Sequence, residues 1–548
     1  MTTAPIDPDR VTEVDCLTER ELEESGVPGM SIGIVGVEGP SVVRTYGWSD
    51  LAARLPVAPE TLFEIGSIGK TFTAIAILQL AEAGRLDLGA PVSDALPWFE
   101  MPVVGRPVTI HDLLTHTAGI TSGIDGTPEA AFQVRALRDR RPGSAPGERY
   151  HYSNLGYKIL GLVIEAVEGR PYPEAVRERI LAPLGMAATE PAITHDMRQR
   201  LAVGYGYLHD DRIGYPGRPL VPATWLETAT GDGAIASTAG DMAAFARMLL
   251  RRGEGPDGRL LSEASFVRMA GPYARTPRGN GYGYGLFTVV AGGRTFLGHP
   301  GGMVGYLSAL HLDPAAGLGM IVLQNATVGD PLGLARVLLD TLRGPAVNEP
   351  ASSPTPGGDL AGGAVGPDRT GVYRADPGDP RADPLEVVAG ADGPALRWRG
   401  RLRALEEIDD GRFLVPDPDF DRFALRFDPP DGRPDVAWHG PDRFVRDGVV
   451  VPRLPDPDPG IAALAGHYRS HNPWTTNFRV FVRGDVPWLT LPGGSDGFDD
   501  EQPIVPLPDG SFRVGDDPAG PEDVRFDTVV DGRPLQAWLS GYPYHRVG

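Results

Sequence analysis

Ser67 and Lys70 stand three residues apart at the head of a long apolar run, Thr71 to Ala81. At that spacing on a helix both side chains lie on one face and can meet. A serine hydroxyl is a weak nucleophile near neutral pH and needs a base within hydrogen-bond reach. A lysine in a poorly hydrated pocket can lose its proton and serve as that base. The competing reading is an ordinary Ser and Lys in the first turn of a buried helix, since Ser-x-x-Lys recurs by chance. Two further islands follow. Tyr152-Ser153-Asn154 sits where a Pro146-Gly147 turn feeds a second apolar helix, and His299-Pro300-Gly301-Gly302 sits among strand-like segments. A glycine-rich turn at a strand end lets the backbone come close to a ligand. The competing structural reading makes Tyr152 a packing aromatic and Ser153 or Asn154 only an N-cap. His116 invites a catalytic role, but it reads rather as a helix-end histidine bonded to nearby backbone. Gly281-Tyr-Gly-Tyr-Gly285 lacks the strand-before, helix-after setting of a cofactor loop.

The elements that must position these residues are legible around them. Val11 to Ser25 is patterned as an amphipathic helix, Gly29 to Val37 as a strand, and Ser41 to Tyr46 as its hairpin partner across a Gly-Pro turn. The run from Thr71 is apolar on nearly every face, which predicts a helix buried all round, with Gly84 as its stop. Val108 to Gly119 reads as a helix with Thr109 as N-cap and Gly119 as stop, and Lys158 to Val167 as another helix. Ser237 or Thr238 caps a helix over Met242 to Leu250. Gly285–Val290, Thr295–Gly298, Leu307–Leu312 and Met320–Gln324 follow as consecutive antiparallel hairpins, and Val337 to Arg343 closes the region as a helix.

The 548 residues are too many for one core. A formal net charge of −21 disfavours nucleic acid and anionic membranes as partners. The single cysteine, Cys16, excludes an internal disulfide and any cysteine-built metal site. No cofactor or metal is expected. No apolar stretch is long enough to span a bilayer, and the polar, acidic start lacks a signal-peptide pattern, so a cytoplasmic location is expected.

Gly344 to Pro367 is rich in Pro, Gly, Ala and Ser and reads as a linker. Beyond it the sequence repeats. Gly371-Val-Tyr373-Arg374 returns as Gly466-His-Tyr468-Arg469, and Asp410-Gly-Arg-Phe413 as Asp509-Gly-Ser-Phe512. Arg426-Phe427-Asp428 returns as Arg525-Phe526-Asp527, and Asp431-Gly-Arg-Pro434 as Asp531-Gly-Arg-Pro534. The order is kept and the offset drifts only between 95 and 100. The expected plan is therefore 1–343, a 344–367 linker, and two small antiparallel barrels or sandwiches at 368–455 and 456–548. Ser470 to Asn477 has no clear counterpart in the first copy and is the stretch expected to reach toward a cleft.

Ser67-Ile-Gly-Lys70, Tyr152-Ser-Asn154 and His299-Pro-Gly301, in that order, resemble the motifs of the penicillin-recognising serine hydrolases. These comprise class C β-lactamases, D-alanyl-D-alanine carboxypeptidases, D-aminopeptidases and related esterases. Leu113-Leu-Thr-His-Thr-Ala-Gly-Ile120 and Pro146-Gly-Glu also resemble this family, and the likeness runs from about residue 10 to 343. It implies an α/β (α+β) fold: a five-stranded antiparallel sheet covered by helices beside a helical lobe, with the serine starting a central helix. By the same likeness Ser67 is the nucleophile, Lys70 takes or shuttles its proton, and Tyr152 is a second base. Asn154 binds the substrate amide, and His299 orients Tyr152 or meets the substrate. Gly301 belongs to the binding strand, and the N–H groups of Ser67 and Gly302 form an oxyanion hole. His299 next to a tyrosine is expected to titrate between about pH 5 and 8. The His-x-Gly variant resembles carboxypeptidases, D-aminopeptidases and esterases more than β-lactamases, and the two C-terminal barrels resemble the D-aminopeptidase plan. A D-aminopeptidase or D-Ala-D-Ala carboxypeptidase-like peptidase acting on small peptide, amide or ester substrates is therefore expected. Esterase or β-lactamase-like, peptide-cyclising and non-catalytic scaffold roles stay open, as does a homodimer.

Overall fold

A computed structural model describes residues 6–123, 129–344, 368–376, 383–390, 393–409, 411–430, 433–492 and 501–547. All of the expected linker except Gly344 lies outside them, as do Asp410, Asp431 and Gly432 of the repeat. The chain forms two compact units. The first holds Met1–Gly206, Pro219–Asp359 and Ala519–Pro521; the second holds Tyr207–Arg218, Leu360–Pro518 and Glu522–Gly548.

In the first unit, α1 (Pro8–Ser25) starts on an Asp7 cap with Pro8 in the first turn and stops at Gly26, whose φ of 76° suits glycine. β1 (Gly29–Gly36) is buried along its whole length and pairs with β2 (Val42–Asp50). The other long strands are β3 (Phe287–Ala291), β4 (Arg294–Met303), β5 (Tyr306–Asp313) and β6 (Leu318–Gln324). The sheet runs β3-β4-β5-β6-β1-β2, antiparallel, and shorter strands such as Gly281–Tyr282 extend its edges. It therefore has six long strands where the resemblance implies five. The N-terminal hairpin adds both its strands to the four-strand meander through the β1–β6 pairing, Met30 opposite Gln324.

α2 (Gly69–Glu82) lies at the centre, with Gly69 to Leu78 and Leu80 all buried. Phe72 stacks on Phe245 of α5 (Ala239–Leu250) at 3.9 Å. Gly84, at φ 68°, follows the last turn, and Arg85 N–H reaches back to Leu80 O. Between them in sequence, α3 (Ile110–Leu114) ends well short of Gly119. Its capping box (Thr109 with Asp112) starts it as expected, but Thr117 N–H takes the Asp112 carbonyl and His116 turns to φ 56°. α4 (Asn154–Glu168) is capped by Ser153, and α5 by Thr238 rather than Ser237. α6 (Pro331–Arg343) completes the unit.

The second unit contains both repeats. The first is a barrel-like antiparallel sheet of nine strands whose two end strands, Arg401–Ala404 and Glu406–Asp409, are consecutive in the chain. The second is a closed barrel of eight strands, sealed by pairing Gly466–Arg469 with Tyr542–Val547. The repeated tyrosines are equivalent in detail. Tyr373 donates to Arg369 O and Tyr468 to Leu464 O, each four residues back, and Arg446 and Arg546 lie over the two rings.

Tyr207–Arg218 is a strap from the hydrolase-like half of the sequence that belongs to this second unit. The buried Asp421 carboxylate accepts from Arg212 and Arg218, and its carbonyl from Ile213 N–H. Arg469 binds Asp210, Arg479 binds Asp211, and the Asn477 side chain donates to Asp210 O. The Ser470 to Asn477 loop thus ends on the strap.

Candidate active site

Ser67 sits in a 3₁₀ turn, Gly66–Ile68, that runs directly into α2, so Lys70 is in the first turn of that helix. The turn is pressed against β4. Gly66 adopts φ 52°, and a Cβ there would lie 2.5 Å from Gly302 O. A Cβ on Gly301 would lie 2.0 Å from Ile65 O, and Ser308 Oγ of β5 also donates to Ile65 O. The His299 to Gly302 segment is therefore strand, not turn. β4 stays paired with β5 through Met303, and the reversal comes at Gly305.

Lys70 is 0 % exposed. Its Nζ is 3.0 Å from Ser67 Oγ, 2.7 Å from Asn154 Oδ1 and 2.7 Å from the Asp232 carbonyl. The last two atoms can only accept, so two N–H bonds are committed to them. The third direction faces a hydroxyl, which can donate. A cationic Lys70 donates its third N–H to Ser67 Oγ, and once it gives up that proton its lone pair faces Ser67 Oγ–H, the arrangement that can receive the serine's proton. Asn154 opens α4, and its carbonyl end is fixed by Lys70, which turns its NH₂ end away as a donor. Asp232 lies between Gly231 and Gly233, whose backbones pack on Gly161 and Gly66 with no room for side chains. Lys158 Nζ, which also donates to Gln133, lies 3.7 Å from the Asp232 carboxylate.

The Tyr152 ring lies 5.0 Å from Lys70 Nζ, 4.3 Å from the His116 ring and 6.2 Å from the His299 ring. His299 is buried, and its Nδ1 bonds Pro300 O at 2.6 Å. Burial, helped by Lys70, pushes its pKa down to about 3, so it is neutral across pH 5 to 8 and does not titrate there as expected. Gly302 faces open space, its Cβ position meeting only Leu307 at 3.6 Å. His116 is bonded to backbone, as read, but to Ser153 N–H across the site rather than within its own helix.

The structure thus gathers Ser67, Lys70, Tyr152, Asn154, His299, Gly301 and Gly302. Sequence reasoning missed Asp232, whose signal was the glycine on either side of it. It also passed over Tyr282, set aside with its glycine pattern; that hydroxyl lies 3.1 Å from His116 and 3.2 Å from His299. Among the described residues no cluster of metal-ligating side chains occurs, and no helix is long and apolar enough to cross a membrane.

The sequence profile of the Beta-lactamase family matches residues 14–343. Penicillin-binding protein 4 of Amycolatopsis lactamdurans is 32% identical over 352 residues, covering 61% of this chain and 91% of that one. Protein flp of Staphylococcus aureus (strain COL) is 29% identical over 330 residues, covering 58% of this chain and 63% of its own length. A solved structure titled as the octameric penicillin-binding protein homologue from Pyrococcus abyssi shares the fold over 96% of both chains, with TM-score 0.55 and 24% identity. With three motifs converging on one buried lysine and a profile match over residues 14–343, the chain belongs to the Beta-lactamase family of the penicillin-recognising serine hydrolases.

Proposed function

We propose that the chain hydrolyses small peptide, amide or ester substrates through an acyl-enzyme on Ser67, with D-aminopeptidase-like activity as the leading reading. The observation that carries it is Lys70 Nζ, buried, committed to two acceptors and 3.0 Å from Ser67 Oγ. Ser67 Oγ attacks the substrate carbonyl carbon as its proton passes to Lys70 Nζ. The N–H groups of Ser67 and Gly302 face the developing oxyanion, where each donor typically contributes a few kcal/mol. The proton travels by Tyr152 to the departing amine or alkoxide, the acyl ester remains on Ser67, and water then reverses the path. Asn154 donates to the substrate amide.

The neutral His299 supports the choice among substrates. The third motif offers no cation to a terminal carboxylate, which favours aminopeptidase, amidase or esterase chemistry over the carboxypeptidase and β-lactamase types. The test is a fluorophosphonate probe read by intact mass, followed by a panel of D-aminoacyl amides, D-Ala-D-Ala peptides, p-nitrophenyl esters and a chromogenic cephalosporin. An adduct on Ser67 with turnover of D-aminoacyl amides or esters is expected. An unlabelled Ser67 would leave a scaffold instead of an enzyme, and preference for D-Ala-D-Ala peptides would reverse the substrate argument.

A further inference from the structure

Four hydrogen bonds run in one line behind the Tyr152 ring. Ser153 N–H lies 3.0 Å from His116 Nδ1, and His116 Nε2 lies 3.1 Å from Tyr282 Oη. Tyr282 Oη lies 3.2 Å from His299 Nε2, and His299 Nδ1 lies 2.6 Å from Pro300 O. All three side chains are buried. The ends of the line fix the tautomers of both histidines, while the Tyr157 hydroxyl also bonds Tyr282 from beside the line. A backbone N–H can only donate, so His116 Nδ1 accepts and its proton is on Nε2. A backbone carbonyl can only accept, so His299 carries its proton on Nδ1 and accepts at Nε2. Tyr282 then accepts from His116 and donates to His299. One arrangement satisfies all groups, with both imidazoles neutral and in opposite tautomers. A second proton on His116 would face the Ser153 N–H, and one on His299 would leave the Tyr282 proton without its acceptor.

We infer that Tyr282 is a positioning residue for the acyl-enzyme chemistry, its hydroxyl joining His116 to His299 so that the Tyr152-Ser153-Asn154 junction and the His299–Gly302 strand are held at a fixed spacing and orientation. The inference rests on the proposed reading of the site. Tyr282 itself is held by its place in the sheet, where it pairs with Phe287, which in turn pairs with Gly298 next to His299. His116 lies 4.3 Å from the Tyr152 ring, so whatever frees His116 frees the face of Tyr152. Lys70, His299 and His151 are the titratable groups facing His116, with the rings of Tyr150, Tyr152, Tyr157 and Tyr282 packed around it; Lys70, His116, Tyr152 and Tyr282 face His299.

Tyr282→Phe deletes only the hydroxyl. With p-nitrophenyl butyrate, kcat should fall about 10- to 100-fold with KM little changed, because misplacement of this order costs rate rather than binding. The acid limb of the rate profile should move up toward the ordinary histidine range. His116→Asn is the second variant. Its Oδ1 stands where Nδ1 stood and keeps the Ser153 bond, and asparagine tolerates the positive φ at this position. It should slow the enzyme similarly, and the double variant should lose little more than either single one. Nitrogen-15 histidine spectra of the full chain provide a readout apart from turnover. They should show one Nε2–H and one Nδ1–H imidazole that stay neutral from pH 5 to 8, with Tyr282→Phe releasing both to exchange. Parent-like kcat, pH profile and tautomers in folded Tyr282→Phe would overturn the inference. Ester turnover that is absent while the two locked tautomers are seen would count against the function proposed above and leave the relay geometry standing.

Discussion

Lys70 binds three partners from three parts of the chain: Ser67 in its own turn, Asn154 at the head of α4, and the carbonyl of Asp232. Replacing either Ser67 or Lys70 by Ala should reduce turnover by about 1000-fold or more, and the double replacement should cost little beyond that, since members of one proton relay act as a unit. The check is steady-state kinetics on both single variants and the pair. A second residue-scale expectation concerns Glu64, three positions before Ser67. Burial holds its pKa up to about 8. The folded chain therefore keeps a proton that the unfolded chain releases between about pH 4.5 and 8, and stability declines as pH rises through that window. In Glu64→Gln that decline should disappear, so the melting temperature at pH 8 relative to pH 5 should be higher than in the parent.

At the scale of elements, the contact between the serine turn and β4 makes two adjacent glycines unequal. Gly301→Ala drives a methyl into Ile65 O and the Ser308 hydroxyl, so the variant should misfold or melt far lower. Gly302→Ala meets only a leucine methyl at 3.6 Å, so it should melt close to the parent, while its methyl crowds the oxyanion position and slows acylation. Calorimetry with fluorophosphonate labelling rates separates the two outcomes. Much of this geometry was legible from residue order. The apolar run announced α2, and Ser67, Lys70, Tyr152, Asn154 and His299 stood out by type and spacing. The misreadings have local causes. His299 to Gly302 looked like a turn because glycine and proline usually break strands, yet here glycine is needed where strand backbone meets turn backbone. α3 looked longer because Gly119 is the first strong breaker after it, but His116 already turns to φ 56° and the Asp112 and Leu113 carbonyls are taken by Thr117 and His116 N–H in a helix-ending turn. Asp232 acts through a main-chain oxygen, so its own residue type says nothing and only the glycine on either side marks the place. The protonation of His299 depends on burial, which spacing alone does not reveal.

For the whole molecule, acid sensitivity follows from buried neutral histidines. Burial lowers His299 to about 3 and both His311 and His439 to about 4, and His116 falls well below its ordinary value. An unfolded chain binds protons on these groups below about pH 6.5 that the folded chain refuses, so stability falls as pH drops from there toward 3. With Glu64 acting in the opposite direction between about pH 4.5 and 8, one carboxyl against four histidines, the melting temperature should peak at about pH 7, which a calorimetric series from pH 4 to 9 would check. The strap Tyr207–Arg218 has a consequence for how the protein is made. Its partners Asp421 and Arg479 lie 209 and 268 residues after Arg212 and Asp211. At about 5 to 20 residues per second, a ribosome needs about 10 to 50 s to supply them. Through that interval the strap waits in water with its charges unmet. Its sequence suits the wait: charged, glycine and proline residues from Asp210 to Arg218 break up its apolar residues Leu208, Ile213 and Tyr215, so the strap is a poor template for strand pairing while its clasp is still being translated.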